Sequence, residues 1–314
     1  MDSVNGSLLI LMPDREDDAG LLAANLREMV AGLEVRIWPE LGDPADVRMV
    51  VSWRHPPGAL GRFPNLDVVA SFGAGVEHIL VDKGLPSGVR IVRTVDESLV
   101  RDMVEYVLLA VVTWRRRWES FQLNQAKGLW APQSYPAQTS VLVLGAGRLG
   151  GAVSKALIDL GHRVASWSRT GSESQGARCL EVEGALCEAL PHAEGVICLL
   201  PLSSETEGIL SRPMFERMKE GSLLVNVARG RHLVEEDLLD ALKRGRPAHA
   251  VLDVFREEPL PAAHSFWTHP KITVTPHVAA LTDPKEAARR VAENWRRLSE
   301  GEDLLDVVDV ERGY

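Results

Sequence analysis

Gly145-Ala-Gly147-Arg148-Leu149-Gly150 is the segment whose residue types and spacing point most directly to chemistry. A lone G-x-G-x-x-G is a weak signal, and its flanks decide what it means. Ser140–Leu144 (SVLVL) reads as a strand, Ala152–Leu160 as a helix and Arg163–Trp167 as a second strand. In such a βαβ unit Gly145 permits the tight turn, Gly147 lets a pyrophosphate approach the backbone, and Gly150 lets helix and strand pack closely. The helix N-terminus attracts the anion. The segment therefore predicts a dinucleotide site.

The end of the second strand sets the cofactor. A carboxylate about 20 residues past the glycines usually bonds the ribose hydroxyls of NAD. Here the chain reads Trp167-Ser168-Arg169-Thr170, with no acid. Ser168 and Thr170 can donate hydrogen bonds to a 2′-phosphate, and Arg169 can neutralise it. We expect NADPH, with NADH less preferred; the other reading makes Arg169 a solvated loop residue and the cofactor NAD.

Three later strand patterns end on polar residues. Leu223–Gly230 delivers Arg229 beside a glycine, Ala250–Pro259 delivers Asp253 and then Glu258, and Ile272–His277 delivers His277 after Pro276. The C-terminal ends of strands are where α/β sheets build sites. Each residue alone is ordinary, and Glu257 is as acidic as its neighbour Glu258. In order behind a dinucleotide motif, Arg229, Glu258 and His277 form a candidate catalytic set. His249, His264 and His269 show no metal-ligand spacing, so no metal is expected.

The elements that must position these groups form two α/β series. In the first hundred residues, Ser7–Met12, Glu34–Trp38, Arg48–Trp53, Leu66–Ser71 and Val89–Val95 read as strands, with a helix at Ala19–Val30. Alternation of this kind predicts a parallel sheet. A long helix follows over Leu99–Trp118, with Ser98 as its N-cap; Leu99, Met103, Val107 and Val111 recur every four residues. Lys127–Thr139 is a looser excursion carrying Trp130 and Tyr135. The second series spans Ser140–Pro276. Thr282-Asp283-Pro284 then starts a final helix that Gly301 closes.

The chain has 314 residues, of which 45% are hydrophobic and 25% charged, enough for roughly two domains. A net charge of -9 argues against nucleic acid as a partner. The run Arg115–Arg117 fits the C-terminal end of the long helix, where positive charge complements the dipole. There are three cysteines, Cys179, Cys187 and Cys198, with no C-x-x-C pair, and Cys198 sits in the apolar run Val196–Leu200. A reducing cytoplasm fits this pattern. No signal peptide or membrane span is read.

Taken together, the motifs resemble those of the D-2-hydroxyacid dehydrogenase family. Gly145–Gly150, Leu200-Pro201 with Thr206, Asn226-Val227-Ala228-Arg229-Gly230, Asp253-Val-Phe with Glu258-Pro259, and Pro276-His277 stand in the family's order. Trp53-Arg54-His-Pro-Pro57, Ser71-Phe-Gly-Ala74-Gly75-Val76, Trp167–Thr170, Pro276–Ala280 and the ending Arg312-Gly-Tyr314 resemble its glyoxylate/hydroxypyruvate reductases of the A type. The resemblance covers essentially the whole chain.

It implies a Rossmann-type cofactor domain, 99–283, inserted into a smaller flavodoxin-like substrate domain, 1–98 and 284–314. The helices Leu99–Trp118 and Pro284–Glu300 would be the crossings, with the site in a cleft that closes over it. It implies reduction of small 2-keto acids to D-configured products. Arg229 would bind and polarise the substrate. His277 would be the general acid, and Glu258 would orient its ring and favour its protonated form. The N–H groups of Ala74 and Gly75 would hold the substrate carboxylate, near Trp53 and Arg54. Asp253 would hold the nicotinamide amide. A homodimer is implied; from its own aromatic residues, Lys127–Thr139 is expected to reach across it and bring Trp130 near the partner's site, the alternative being that it packs on its own domain. Two other readings remain. One is a dehydrogenase of different substrate; phosphoglycerate dehydrogenase is the less expected case, because the chain stops at Tyr314 without an added regulatory domain. The other is a dinucleotide-dependent binding protein of the corepressor kind.

Overall fold

The computed structural model describes residues 6–135, 138–168, 178–180 and 183–310. In chain order the first strands and helices are β1 (Ser7–Leu11), α1 (Glu16–Met29), β2 (Glu34–Ile37), β3 (Val47–Ser52), β4 (Val68–Ser71), α2 (Glu77–Leu80) and β5 (Arg90–Arg93). Then come α3 (Glu97–Arg115), α4 (Trp118–Ala126), β6 (Ser140–Leu144), α5 (Arg148–Asp159), β7 (Arg163–Trp167), β8 (Arg178–Leu180), α6 (Glu183–Ala189) and β9 (Gly195–Cys198). The remainder are α7 (Arg212–Arg217), β10 (Leu223–Asn226), α8 (Glu235–Arg244), β11 (His249–Leu252), β12 (Ile272–Val274) and α9 (Pro284–Glu300). The chain divides into two units, Met1–Leu99 with Leu281–Tyr314, and Val100–Ala280.

The first unit is a five-stranded sheet of order β2-β1-β3-β4-β5, the flavodoxin-like order. Its strands are parallel, and β1 and β4, buried along their whole length, read as apolar runs rather than alternating ones. Leu8 and Ile10 enter one core with Leu22 and Leu26 of α1 and Ala288, Val291 and Trp295 of α9. Leu9 and Leu11 enter the other, with Leu60, Phe63 and Ile79. That is the two-residue alternation of a strand. At the start of α9, Asp283 accepts the Lys285 N–H at 2.8 Å and Pro284 takes the first turn; Gly301, at φ 70°, ends the helix.

The second unit is a seven-stranded parallel sheet of order β12-β11-β10-β9-β6-β7-β8. The order reverses between β6 and β9, the switch point of a dinucleotide-binding fold. Val141 and Val143 pack with Met103, Val107 and Val111 of α3. Leu142 and Leu144 pack on the opposite face with Phe215, Leu238 and Leu242. Cys198 is buried there, as its apolar run predicts, and burial pushes its thiol up to about 12.

Three expectations change. Ser98 does not cap α3: it lies inside the first turn, and Asp96 accepts the Leu99 N–H at 2.9 Å and the Ser98 hydroxyl at 2.6 Å. The helix drawn to Trp118 ends at Arg115, because Arg117 turns left-handed at φ 53° and starts α4. Finally, α9 is not a crossing. It lies wholly in the first unit, and the chain passes between units within the first turn of α3 and at Ala280–Leu281.

Candidate active site

The glycine turn sits where β6 delivers it. Gly145 has φ +110°, and a Cβ there would lie 2.7 Å from the Leu199 carbonyl oxygen at the end of β9. Only glycine fits that approach. A Cβ on Gly150 would overlap the Gly145 carbonyl oxygen, so the first turn of α5 rests directly on the strand exit. Around Gly147, the N-cap of α5, a Cβ would find nothing within 4 Å. This open backbone at the positive end of α5, next to Arg148 and Leu149, fits a pyrophosphate.

The other cofactor residues frame the same strand ends. Ser168 follows β7, and its buried Oγ has no hydrogen-bond partner among the described residues. Arg169 and Thr170 lie outside the described residues. Leu200 and Pro201 follow β9. The Thr206 hydroxyl donates to the Pro201 carbonyl at 2.7 Å and accepts the Ser203 N–H at 2.8 Å, so it shapes this loop from within. Val227 and Ala228 are buried just after β10. Asn226, which opens the Asn226–Gly230 motif but was given no role from sequence, accepts the Ala228 N–H at 3.2 Å and donates to the Arg229 carbonyl at 3.1 Å.

Arg229 is half-buried, and its Nη1 donates to the Ala228 carbonyl at 2.6 Å. Its N–H donates to Nδ1 of the buried His232 at 3.2 Å. A Cβ on Gly230 would overlap the Phe255 carbonyl carbon, so the Arg229 turn presses on the segment leading to Glu258. Glu258 accepts the Phe255 N–H through Oε1 at 3.0 Å and meets His277 Nδ1 through Oε2 at 2.9 Å. Glu257 is exposed, and it is Glu258, the acid chosen from the sequence over its equally acidic neighbour, that meets the histidine. With Nδ1 engaged, the other ring nitrogen of the partly exposed His277 side chain is the one available to a substrate.

His277 has φ +56°, rare for a side-chain-bearing residue, and its N–H donates to the Asp253 carbonyl at 2.8 Å. Asp253 is 1% exposed; its Oδ1 and Oδ2 accept the Val278 and Ala279 N–H groups, each at 2.9 Å. This residue is thus built into the turn that carries the histidine. That tie is a feature the sequence did not announce.

In the first unit, Trp53 and Arg54 follow β3, and Ala74 and Gly75 follow β4. A Cβ on Gly73 would lie 2.9 Å from the Trp53 ring, so these two turns touch. Arg54 adopts φ +46°. Behind it the buried His55 ring spans Ser52 Oγ at 2.6 Å and Asp82 Oδ2 at 2.8 Å, and Asp82 Oδ1 accepts the N–H groups of Gly58 and Gly84. Burial alone would push the Asp82 carboxyl up; these donors and His55 outweigh it and hold the group below the ordinary carboxylate value. Trp130 is 98% exposed, whereas Tyr135 lies under Arg116 of its own chain, 4.3 Å from guanidinium to ring centroid. Among the described residues no cluster of three or more His, Cys, Asp or Glu could hold a metal, and no helix is long and apolar enough to cross a membrane.

A glycine turn at the switch point, with a histidine–carboxylate pair at neighbouring strand ends, defines a dinucleotide-dependent dehydrogenase. Residues 108–279 match the NAD-binding domain model of the D-isomer specific 2-hydroxyacid dehydrogenases, and the chain belongs to that family. It is 39% identical to glyoxylate/hydroxypyruvate reductase A of Serratia proteamaculans, over 92% of this chain and 97% of that one. Among solved structures it is similar to a D-isomer specific 2-hydroxyacid dehydrogenase of Xanthobacter autotrophicus in complex with NADPH and MES. That match has a TM-score of 0.93 and 35% identity, covering 99% of this chain and 100% of the other. The NADPH-dependent glyoxylate/hydroxypyruvate reductase of Sinorhizobium meliloti, in complex with NADP and sulfate, superimposes with a TM-score of 0.91 at 31% identity, covering 98% and 100%.

Proposed function

We propose that this protein reduces glyoxylate to glycolate and hydroxypyruvate to D-glycerate, preferring NADPH to NADH. The observation that carries the reading is the 2.9 Å contact between His277 Nδ1 and Glu258 on a turn gripped by Asp253. Bound NADPH supplies the hydride. Arg229 offers a planar charged fork to the substrate carboxylate and ketone oxygen. The N–H groups of Ala74 and Gly75, beside Trp53 and Arg54, take the carboxylate. His277 holds the proton on Nε2 and gives it to the ketone oxygen; Glu258 keeps the ring aimed. Gly145, Gly147 and Gly150 admit the pyrophosphate, and the carboxamide falls to Asp253. NADPH preference is supported by the acid-free end of β7 and by the NADPH and NADP in the related structures.

The reading includes a homodimer. No residue of α4 is buried, and Trp118, Leu123, Leu129 and Trp130 are 58%, 61%, 55% and 98% exposed. Trp118, with Leu109 and Trp114, lines a cavity of about 580 Å³. An apolar stretch of this kind is usually covered, and Trp130 is then placed near the partner's site. Unpaired Cys187 and Cys198 suit a cytoplasmic enzyme.

Steady-state kinetics test the reading, with both cofactors against glyoxylate, hydroxypyruvate and a bulky branched keto acid. We expect kcat/KM about tenfold or more higher with NADPH, the worth of one charge-assisted contact. Equal efficiency with NADH refutes the cofactor assignment. Rapid reduction of the bulky acid, with neither small acid reduced, refutes the substrate assignment.

A further inference from the structure

A polar chain runs from α3 to the catalytic turn. Tyr106 Oη lies 2.5 Å from Thr275 Oγ1, and Thr275 Oγ1 lies 2.6 Å from Asp253 Oδ1. Its direction follows from proton count. The Asp253 carboxylate accepts backbone N–H groups on both oxygens, and it accepts from Thr275 as well. That uses the single hydroxyl proton of Thr275, so Tyr106 donates to Thr275. Burial pushes the Tyr106 hydroxyl up to about 12, with the Asp253 charge adding and the Thr275 bond opposing, so it remains a donor across the working range. Donors and acceptors aligned in one sense strengthen one another.

At the far end of this chain is a turn in an uncommon conformation. His277 sits at φ +56°, where a non-glycine residue persists only if its surroundings hold it. Glu258 fixes the ring; Asp253 fixes the backbone through its own carbonyl and both carboxylate oxygens. Asp253 in turn has little freedom, because Thr275, itself bonded by Tyr106, fills the remaining acceptor direction of Oδ1.

We infer that Tyr106 and Thr275 are positioning residues for His277, acting through Asp253 on the 275–279 turn. The inference rests on His277 as the general acid. It goes beyond that role by assigning a task to two residues that no cofactor or substrate contact requires. Placement errors near 1 Å can cost about a hundredfold in rate, and losing one link of a multiply held turn should cost less.

The test uses the full chain and the variants Thr275→Val, Thr275→Ser, Tyr106→Phe and His277→Ala. Thr275→Val keeps shape and removes the hydroxyl. It should lower kcat about tenfold with the KM for glyoxylate changed less than about twofold, and Thr275→Ser should recover most of the loss. Tyr106→Phe should fall between them. In the ligand-free protein, amide exchange of a peptide spanning 275–280 should quicken in Thr275→Val and Tyr106→Phe and remain as wild type in Thr275→Ser. Unchanged exchange in Thr275→Val overturns the inference, as does a loss that Thr275→Ser fails to recover. A fully active His277→Ala refutes the general-acid reading instead, while the exchange data still report whether the chain holds the turn.

Discussion

Gly147 and Gly150 stand three residues apart in one motif, and the structure assigns them opposite sensitivities. Alanine at 147 adds a methyl to a backbone at φ -71°, with nothing within 4 Å of the new atom. The free protein should melt within about 2 °C of wild type, or slightly higher, because alanine restricts the unfolded chain. The methyl instead occupies space the pyrophosphate needs. Displacing that group from one or two charge-assisted N–H contacts costs about 1.5–3 kcal/mol, so the NADPH Kd should rise about 10- to 100-fold. Alanine at 150 overlaps the Gly145 carbonyl oxygen, which is main chain and cannot rotate away. Overpacking of this severity costs about 3 kcal/mol, and at about 2–4 °C per kcal/mol the cofactor-free melting point should drop about 6–12 °C. The assays are thermal unfolding without cofactor and NADPH fluorescence titration. A Gly147→Ala protein that binds NADPH within twofold of wild type would refute the path drawn for the pyrophosphate. A Gly150→Ala protein with an unchanged melting point would refute the tight approach of α5 to β6.

Further outcomes follow from the same geometry. His277→Ala should lose about 10²- to 10⁴-fold in kcat while the NADPH Kd stays within twofold, the signature of a missing general acid. Arg229→Ala should both lower kcat and raise the keto acid KM, since the fork serves binding and polarisation together. Glu258→Gln should keep partial activity, about a tenth of wild type, because an amide oxygen still orients the ring, whereas Glu257→Gln, at an exposed position, should leave kinetics unchanged; equal losses in the two would refute Glu258 as the partner. Tyr106, raised to about 12, should stay protonated up to pH 11, so the absorbance gained near 295 nm between pH 9 and 11 should be the same in wild type and Tyr106→Phe. A raised pKa means the folded state holds the proton longer, so this contribution to stability is complete below pH 10 and is lost as pH rises toward 12; Tyr106→Phe should remove that alkaline loss.

What the sequence could disclose was governed by how local each physical cause is. The steric demands of the glycine turn involve neighbouring main chain, and its three tasks were legible from spacing plus the flanking strand and helix patterns. Strand identity was legible as well, since Leu8–Leu11 and Val141–Leu144 each supply both faces of a covered sheet. Signals that compete at short range were harder. Ser98 and Asp96 are both good caps two positions apart, and the choice fell to the carboxylate that reaches the Leu99 N–H. The break at Arg117 has neither glycine nor proline to mark it. Residue type alone does not separate Glu257 from Glu258; motif order pointed to Glu258, and the chain after β11 turns it inward onto the Phe255 N–H. Least visible were links between residues distant in sequence. Tyr106 and Thr275 are 169 positions apart, and His55 and Asp82 are 27 apart. No periodicity encodes such a pair, because each partner is placed by its own element and they meet only when the sheet is assembled. These same links surround two of the residues with left-handed backbone, Arg54 and His277. Strain at a functional position has to be held by contacts that local sequence does not supply. The residues that aim the chemistry are therefore expected to be the ones that motif reading passes over.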